Sequence, residues 1–541
     1  MTLARVPTNG RVAVVGAGIS GLTFTYFLSK LRPDLRFDIY EQSDSIGGCI
    51  RSQYLTTPTE SIILEKGPRT LRGVSEGSLL IVDMLRQLGR ASSVRVLPRN
   101  SIANKKYITN TDRRIVQVPD TILTGWKFIR DTAIVRPTLL WGLLKEPFVK
   151  KPHENDSTDE SIESFFTRRL GTSVLTDSVL SAIIHGIYAG DVARLSVKSI
   201  LPSVRKLEID HGSLGRALVA KKSKSEPKTS GLSPALTQYQ HQLSPDANLE
   251  ELSLSLKKFP MLALAGGLQT LPNSLYEYLS SQSNVQFHFH SDISQIDPVK
   301  GTVTVNSNQS SVVQYDHIRS TISTKALAKV LQVAPAITEQ LRSLEYVSVF
   351  LVNIYTRTPT LIPKNGHGFG FLVPKLNGNN HNLLGVIYDS DVEQNIIPLD
   401  GERDAGATKS SSYNKITLMM GGHYYNNKTI PSSGVNIRIV KDILTDFLNI
   451  DLSHKNLIIR DEAAIESKQV GELEENDILI SYNLHQDCIP QYNVGYEQLK
   501  QTMLDEFANT KLSFGGMAFG TGVGVPDCVV DSLQASLQLS K

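Results

Sequence analysis

The sequence predicts an α/β protein with α+β parts, in which a Rossmann-like nucleotide-binding domain is interleaved with a mixed-sheet domain and a helical domain. Three observations predict this fold class. Near the N-terminus a strand, a glycine turn, a helix, a second strand and an acid follow one another, and the chain ends in a strand, a glycine-rich turn and a helix. Several strand-like runs with partial apolar alternation lie between residues 347 and 484.

The first element is a buried parallel strand, because residues 12–15 read Val-Ala-Val-Val. The glycines of the following turn permit a tight bend and the approach of backbone to a diphosphate, and the helix N-terminus favours its negative charge. Glycines in such turns are often only structural, but the ordered strands, helix and acid favour a nucleotide site. The candidate diphosphate-binding residues are Gly16, Ala17, Gly18, Ile19, Ser20 and Gly21.

A second strand over residues 36–40 ends at Glu41, 25 residues after Gly16. A carboxylate at this point can accept hydrogen bonds from both ribose hydroxyls of an adenosine, and it disfavours a 2′-phosphate.

A second glycine pair follows in residues 46–52. It lets the backbone approach the cofactor again, and Arg51 adds a planar donor for the diphosphate. This addition favours FAD over NAD. The candidate contacts of this segment are Gly48, Cys49 and Arg51.

The last predicted element, residues 512–528, is a strand, a glycine-dense turn and a new helix. In the two-dinucleotide-binding-domain flavoproteins, which the N-terminal motifs resemble, such an element returns to the flavin. Helix-terminal amides there would face the pyrimidine end and stabilise negative charge on the reduced ring. A glycine-rich surface loop is the alternative. The candidate contacts are Met517, Val523, Gly524 and Val525.

The composition is that of a globular protein of two or three domains, with 541 residues of which 40% are apolar. The net charge of +3 gives no electrostatic reason to expect a nucleic-acid partner. Cys49, Cys488 and Cys528 are far apart and lack CxxC spacing, so neither a disulfide framework nor a metal site is predicted. We expect no secretory signal in the ten residues before the first strand, and no apolar run is long enough for a spanning helix.

One segment, residues 121–151, suggests contact with a membrane. It holds both tryptophans, Trp126 and Trp141, among leucines and basic residues. Apolar side chains could enter the acyl boundary of a bilayer while the basic side chains meet headgroups. The alternative is an ordinary amphipathic helix pair packed on the core. The basic residues are Lys127, Arg130, Arg136, Lys145, Lys150 and Lys151.

The order of these elements predicts interleaved domains. Residues 302–322 read as a hairpin and a strand that returns to the nucleotide domain, and residues 221–257 are too polar to bury a core. The predicted segments are 1–90, 258–325 and 508–541 for the FAD-binding domain, 91–220 for a helical membrane-associating domain, 221–257 for a flexible insertion and 326–507 for a substrate-binding domain.

The N-terminal motifs resemble those of the two-dinucleotide-binding-domain flavoproteins, which include amine oxidases and phytoene desaturases. Seven further stretches, in order along nearly the whole chain, resemble the protoporphyrinogen oxidase family. The matching stretches are residues 65–69 (EKGPR), 104–108 (NKKYI), 185–191 with 195–199 (HGIYAGD and LSVKS), 266–272 (GGLQTLP), 368–374 (GFGFLVP), 385–390 (GVIYDS) and 488–492 (CIPQY).

The resemblance implies an oxygen-dependent oxidation of protoporphyrinogen IX to protoporphyrin IX in haem biosynthesis. Six electrons would pass through non-covalent FAD to three oxygen molecules, giving three hydrogen peroxide molecules. The sequence holds no other catalytic constellation, which suits hydride transfer to the flavin N5.

The resemblance also implies roles for single residues. The Gly186 carbonyl would lie beside the reacting macrocycle, and Arg69 would lie at the site as a catalytic and substrate-binding residue. Lys106 stands where the family has an arginine that holds a propionate, and lysine offers a point charge instead of a bidentate fork. Implied walls of the tetrapyrrole slot are Phe369, Leu372, Ile387 and Met419, and implied FAD contacts are Gly67, Pro68, Arg69, Thr70 and Ile293.

For location and partners, the resemblance implies a peripheral protein of the mitochondrial inner membrane on the intermembrane-space side. It further implies a homodimer that hands its product to ferrochelatase.

Two alternatives stay open at this stage. An amine or polyamine oxidase would carry covalent flavin, but the Asp-Cys-Ile-Pro-Gln-Tyr context of Cys488 differs from the Gly-Gly-Cys-Tyr of covalent members. A non-catalytic binding protein on the same fold, as in the Rab GDP-dissociation inhibitors, is disfavoured by the intact Glu41 and the glycine motifs at both ends.

Overall fold

The computed structural model describes residues 5–56, 58, 61–132, 134, 136–149, 159–223, 231–306, 311–364, 366–400, 413–461 and 473–541. Within these ranges the strands, numbered β1 to β22 in chain order, are Arg11–Val15, Arg36–Tyr40, Ser52–Thr56, Ser61–Glu65, Leu71–Arg72, Val94–Leu97, Lys106–Thr109, Ile115–Gln117, Met261–Leu264, Val285–His288, Asp292–Asp297, Thr302–Asn306, Ser311–Gln314, His317–Ser320, Tyr346–Thr356, Gly370–Leu372, Leu383–Ile387, Ile397–Pro398, Asn414–Gly422, Asn456–Asp461, Asp477–Pro490 and Leu512–Phe514.

The α-helices of the same ranges, numbered α1 to α18, are Ile19–Leu31, Glu76–Gln87, Ile122–Thr132, Pro137–Lys145, Ile162–Leu170, Ser181–Tyr188, Val197–Ile200, Pro202–His211, Leu214–Ser223, Pro234–Leu243, Leu249–Leu256, Thr270–Ser280, Thr324–Val330, Pro335–Ser343, Asp389–Glu393, Ser433–Asp446, Tyr496–Glu506 and Val525–Leu539.

The nucleotide-binding sheet has five parallel strands in the order β10-β2-β1-β14-β22. Its central strands are buried on both faces, as the continuous apolar run of β1 predicts. Both ends of the chain meet here, because the Ser532 hydroxyl donates to the Ser20 carbonyl (3.0 Å) and the Ser536 hydroxyl to the Phe24 carbonyl (3.2 Å). The first and the last helix of the chain therefore pack on each other.

The predicted mixed sheet is also confirmed. Its eight strands have the order β20-β21-β15-β19-β17-β16-β7-β8, with parallel pairs β20-β21 and β16-β7. One face packs on α16 around buried residues such as Val352, Leu418 and Ile480. The other face turns toward the nucleotide-binding domain, where Asn353 donates to the Glu65 carbonyl at 3.1 Å.

The prediction of a flexible insertion over 221–257 is wrong for residues 234–256, while residues 224–230 lie outside the described part of the chain. Helices α10 and α11 pack into the core of the nucleotide-binding domain. Each buries a narrow stripe of three residues spaced by three and four positions, and the rest of the helix is polar. The stripes are Leu236, Tyr239, Leu243 and Leu249, Leu252, Leu256.

The predicted helical segment 91–220 needs a second correction, because residues 94–117 carry β6, β7 and β8. β6 pairs with β9, and β7 pairs with β16 at the edge of the mixed sheet. Helices α3 to α9 begin only at Ile122. Among the described residues no helix is both long enough and apolar enough to cross a bilayer.

Candidate functional site

The site is a cleft where the glycine loops of the nucleotide-binding domain meet β21 of the mixed sheet. A cavity of 390 Å³ opens here. It joins a glycine loop near the N-terminus to the loop that follows β22. Two predicted flavin-binding segments from opposite ends of the chain, one at Gly48 and Cys49 and the other at Met517 and Ala518, therefore line the same space. The lining residues are Gly48, Cys49, Thr321, Ile322, Ser323, Tyr346, Leu484, His485, Gln486, Asp487, Cys488, Met517 and Ala518.

The first glycine turn has the conformation that a diphosphate cradle needs. Gly16 has φ +106°, and a Cβ on Gly21 would lie 2.0 Å from the Gly16 carbonyl oxygen. Gly18 is the N-cap of α1 and offers no side-chain acceptor, so the first amides of the helix keep their capacity to bind an anion. The Gly47 N–H donates to the Ala17 carbonyl at 2.9 Å and fastens the second glycine loop to the first.

Glu41 and Ile293 both lie beside this turn. The Glu41 carboxylate accepts the Ala17 N–H at 2.9 Å, which places the acid at the edge of the cradle. The Glu41 carbonyl accepts the Ser291 N–H at 2.9 Å, so the start of β11, which carries Ile293, is adjacent.

The segment 67–70 approaches the second glycine loop as closely as backbone allows. A Cβ on Gly67 would lie 1.9 Å from the Cys49 carbonyl oxygen, and the Lys66 N–H donates to the Arg51 carbonyl at 2.8 Å. Only glycine fits at this crossing. Pro68, Arg69 and Thr70 follow directly and lead into β5.

Arg69 is held by a residue that the sequence did not single out. Its guanidinium donates to Asp389 at 2.6 Å, and both side chains are buried. The Thr417 hydroxyl donates to the other Asp389 oxygen at 2.6 Å, and Asn353 donates to Thr417 at 2.8 Å. Asp389 belongs to the 385–390 motif, and this motif is the sequence feature from which its role could have been predicted.

Three of the four predicted slot residues share one face of the mixed sheet. The register pairs Leu372 and Met419 each with Gly385, and Ile387 with Thr417. A Cβ on Gly186 would lie 3.0 Å from a Leu372 methyl carbon, so α6 brings the predicted catalytic glycine against this face.

Phe369 and Lys106 lie at the edge of the slot. Phe369 packs in a separate cluster with Leu97, Ala103 and Val392. Lys106 pairs with Gly370 across β7 and β16, which directs its side chain to the same face as Leu372. Lys106 is exposed, so its ammonium is accessible to a carboxylate of a ligand.

A buried histidine pair stands beside Gly186. The His185 Nδ1–H donates to the Val373 carbonyl at 2.7 Å, so its Nε2 accepts the His423 Nε2–H at 2.9 Å. Burial lowers the pKa of both imidazoles to about 4. The neutral pair thereby joins α6 to the ends of β16 and β19.

The C-terminal loop completes the cleft. The Gly515 N–H donates to the Ser320 carbonyl at 2.8 Å, and the Gly524 N–H donates to Asp527 at 3.1 Å at the start of α18. Met517 lines the cavity, whereas Val523 packs partly buried among tyrosines below it. Val525 begins the helix whose N-terminus faces this loop.

These features together fit a flavin dinucleotide: a glycine cradle at a helix N-terminus, an acid beside it, a second glycine crossing and a C-terminal loop over the same cavity. A nucleotide-binding domain whose cleft is closed by a strand of a second, mixed-sheet domain is typical of a two-domain flavin-dependent oxidoreductase.

Comparison with known proteins gives the same class. The model of the family described as flavin containing amine oxidoreductase matches residues 19–536, and the chain belongs to this family. FAD is its cofactor.

Within that family the chain is similar to the protoporphyrinogen oxidases. It is 36% identical to the protoporphyrinogen oxidase of Saccharomyces cerevisiae, covering 100% of both chains, and 31% identical to that of Schizosaccharomyces pombe, covering 98% of both. A solved structure from Exiguobacterium sp. 255-15, provisionally named a protoporphyrinogen oxidase, matches with a TM-score of 0.66 at 18% identity over 98% of both chains, which shows the shared fold.

Proposed function

We propose that this protein oxidises protoporphyrinogen IX to protoporphyrin IX, with six electrons passing to three oxygen molecules. The observation that carries the proposal is the apolar sheet face of Leu372, Ile387 and Met419, against which α6 places Gly186. Met419 packs in the same cluster as Cys488, which lines the flavin cavity. A flat, largely apolar macrocycle needs such surfaces on both sides. Full-length identity to relatives named for this activity supports it.

The reaction needs no side chain to act as the oxidant or as a covalent nucleophile. FAD, when bound, supplies the hydride acceptor. The chain has to place a methylene carbon beside it and exclude water. The Gly186 carbonyl would stabilise positive charge as hydride leaves, Arg69 would stand at the flavin edge, and Lys106 would pair with a propionate.

The test uses the purified yellow protein in detergent, anaerobically prepared protoporphyrinogen IX, and oxygen admitted afterwards. Rapid porphyrin fluorescence with three peroxide molecules per porphyrin is expected. A flavin that stays oxidised with this substrate, yet bleaches with an amine, would instead assign the protein to the amine oxidases.

FAD is proposed to be bound without a covalent link. Cys488 lines the cavity, but its thiol donates to the Val347 carbonyl at 3.4 Å, and burial raises its pKa to about 12. Such a thiol has little thiolate character. Acid precipitation is expected to leave a yellow supernatant and a colourless pellet, and a yellow pellet would contradict this part of the proposal.

The protein is further proposed to bind a membrane surface with helices α3 and α4. Trp126 is 70% exposed and Trp141 63%, although tryptophan is usually buried. Lys127, Arg130, Arg136 and Lys145 lie in the same described stretch, while residues 133, 135, 150 and 151 lie outside it. Two successive helices that expose large apolar side chains among basic residues suit a bilayer interface.

The location proposed for this surface is the mitochondrial inner membrane on its intermembrane-space side, and the assembly proposed is a homodimer that passes its product to ferrochelatase. Protease protection in intact and swollen mitochondria tests the side of the membrane. Analytical ultracentrifugation in detergent tests the dimer, and a monomer at micromolar concentration would contradict it.

A further inference from the structure

We infer that Gln491, Tyr492, Tyr496 and Lys500 are positioning residues that hold the flavin loop, defined as residues 515–524, in register with the helix that carries Gly186. This inference deepens the proposed function and rests on it.

Three donors at intervals of four residues contact three carbonyls of the flavin loop. Tyr492 donates its hydroxyl proton to the Met517 carbonyl, and Tyr496 donates to the Ala518 carbonyl at 2.9 Å. Lys500 donates from Nζ to the Gly520 carbonyl at 2.7 Å. Residues four apart lie on one face of a helix, so α17 and the turn before it present a row of donors to the loop.

The two tyrosine side chains are buried in the core. Tyr492 is 1% exposed and Tyr496 4% exposed, and their rings stack at 4.2 Å with an interplanar angle of 15°. Burial raises the pKa of both phenols, so each hydroxyl stays protonated and can only help the loop as a donor.

The row of donors decides where the loop amides point. In a trans peptide the C=O of one residue and the N–H of the next point in opposite directions. When Tyr492 holds the Met517 carbonyl, the Ala518 N–H of the same peptide unit is directed away from α17. Met517 and Ala518 both line the cavity, so the peptide unit whose orientation Tyr492 sets borders the cofactor space.

Gln491, the neighbour of Tyr492, holds the opposite wall of the site. Its Nε2 donates to the Tyr188 carbonyl at 3.0 Å, two residues after Gly186 on α6. A Cβ on Gly190 would lie 2.4 Å from Gln491 Oε1, so the chain passes close to this amide. Tyr188 and Tyr492 also meet edge to face at 5.9 Å.

Two consecutive residues therefore contact the flavin loop and the helix that carries Gly186, which the proposed function places on the cofactor side and on the substrate side of hydride transfer. Gln491 fixes the end of the helix that presents the Gly186 carbonyl, and Tyr492 fixes the flavin loop. Hydride transfer requires a short, fixed separation of donor and acceptor, so loosening either contact is expected to slow flavin reduction more than it weakens substrate binding.

The experiment compares Tyr492→Phe, Tyr496→Phe and Gln491→Leu with Tyr425→Phe. Tyr425 is the matched control, since its buried hydroxyl donates to Asn436 at 3.1 Å on the far side of the mixed sheet. Each variant is assayed for the Kd of FAD with apoprotein, the reduction potential of the bound flavin, and the rate of anaerobic flavin reduction by protoporphyrinogen IX.

Tyr492→Phe and Tyr496→Phe are expected to raise the Kd of FAD by about 5-fold to 10-fold, as for one lost hydrogen bond, and to shift the flavin potential. Gln491→Leu is expected to leave the Kd of FAD unchanged while slowing flavin reduction about 10-fold at unchanged KM. Tyr425→Phe should change thermal stability alone.

The inference is overturned if the Tyr492 and Gln491 variants bind FAD and reduce it as the wild type does, or if Tyr425→Phe matches them in every readout. A wild type that makes no porphyrin would overturn the proposed function instead, while the FAD affinities would still test the loop contacts.

Discussion

The position of Arg69, a predicted site residue, depends on an ion pair with a residue from another domain. Its guanidinium and the Asp389 carboxylate lie 2.6 Å apart, and both are buried. The Thr417 hydroxyl donates a hydrogen bond to the second oxygen of the Asp389 carboxylate. A buried charge that loses its counter-charge is strongly destabilising, so the two side chains act as one unit.

Asp389→Asn is expected to lower the free energy of unfolding by about 3 kcal/mol, because the buried guanidinium then lacks its counter-charge. Denaturant titration of the apoprotein measures this. Asp400→Asn is the matched control, since Asp400 pairs with Arg86 on the surface and should change stability by less than about 0.5 kcal/mol. Equal losses in the two variants would contradict the assignment.

Lys106 is the residue whose chemistry departs from the resembled family. Lys106→Glu is expected to raise KM for protoporphyrinogen IX by at least about 10-fold with FAD content unchanged, because a carboxylate would repel the propionate. Lys106→Arg should lower KM, since a guanidinium binds carboxylate bidentately. Steady-state kinetics measure both. Lys257→Glu makes the same charge change at an exposed lysine just after α11 and should leave KM unchanged. An unchanged KM in Lys106→Glu would remove the assignment.

The His185–His423 pair predicts a pH dependence of stability. Folding lowers the pKa of His185 from 6.5 to about 4, so the unfolded chain binds the proton first as pH falls. Stability attributable to this residue is therefore intact above pH 6.5 and declines by about 3 kcal/mol as pH falls to 4.

His185→Gln keeps a donor for the Val373 carbonyl and an acceptor for His423 without a titrating group. The loss of thermal stability between pH 6.5 and pH 4 should be smaller in this variant than in the wild type. Burial also lowers the pKa of His317, to about 3, so protonation of His317 destabilises the fold in the same pH range. This contribution is the same in the variant and the wild type, and it cancels when their pH profiles are compared. Identical pH profiles would show that the pair does not titrate in this way.

At the scale of elements, the site depends on backbone crossings. Gly67→Ala is expected to weaken FAD binding more than 100-fold, because its Cβ would lie 1.9 Å from the Cys49 carbonyl oxygen and push the two cofactor loops apart. The flavin content of purified protein and the Kd of FAD measure the effect. Gly434→Ala, at a helix position with nothing within 4 Å, is the control and should retain full flavin. Full flavin in Gly67→Ala would contradict the crossing.

The sequence predicted those elements whose signal is local. Glycines with required positive φ, such as Gly16, and fully apolar strands such as β1 are readable without tertiary information. Helices α10 and α11 were missed because three buried side chains in an otherwise polar stretch look like a disordered insertion until a partner surface is present.

Asp389 and the donor row of α17 were missed for a different physical reason. Their roles arise only when the 385–390 and 488–492 motifs fold against loops more than 20 residues away in sequence, and no spacing rule relates them. Residues 106–117 likewise form strands and not helices because β7 pairs with β16 and β8 pairs with β7, and these pairings are tertiary contacts. Local sequence patterns therefore predict the cofactor loops, whereas the residues that hold these loops are identified only from tertiary contacts.

At the scale of the whole molecule, the exposed apolar residues are unevenly distributed. Leu123, Trp126, Trp141, Leu144 and Phe148 are all more than 60% exposed and lie on two successive helices and the turn after them. Among the described residues outside this segment, Val299 and Val312 are the large apolar side chains that are more than 60% exposed. Phe128 of α3, Leu139 of α4 and Ile184 of α6 pack in one cluster, with Leu372 against it, so the exposed helices and the slot share one helical core.

The double variant Trp126→Ser, Trp141→Ser is expected to reduce binding to vesicles of mixed neutral and anionic phospholipid by about 10-fold or more, because two interfacial aromatic anchors are lost. Co-sedimentation measures it, and activity in detergent should stay unchanged because neither side chain lines the flavin cavity. Val299→Ser with Val312→Ser removes two equally exposed apolar side chains beside the nucleotide-binding domain and should bind as the wild type does. If both double variants bind alike, helices α3 and α4 are not the membrane surface.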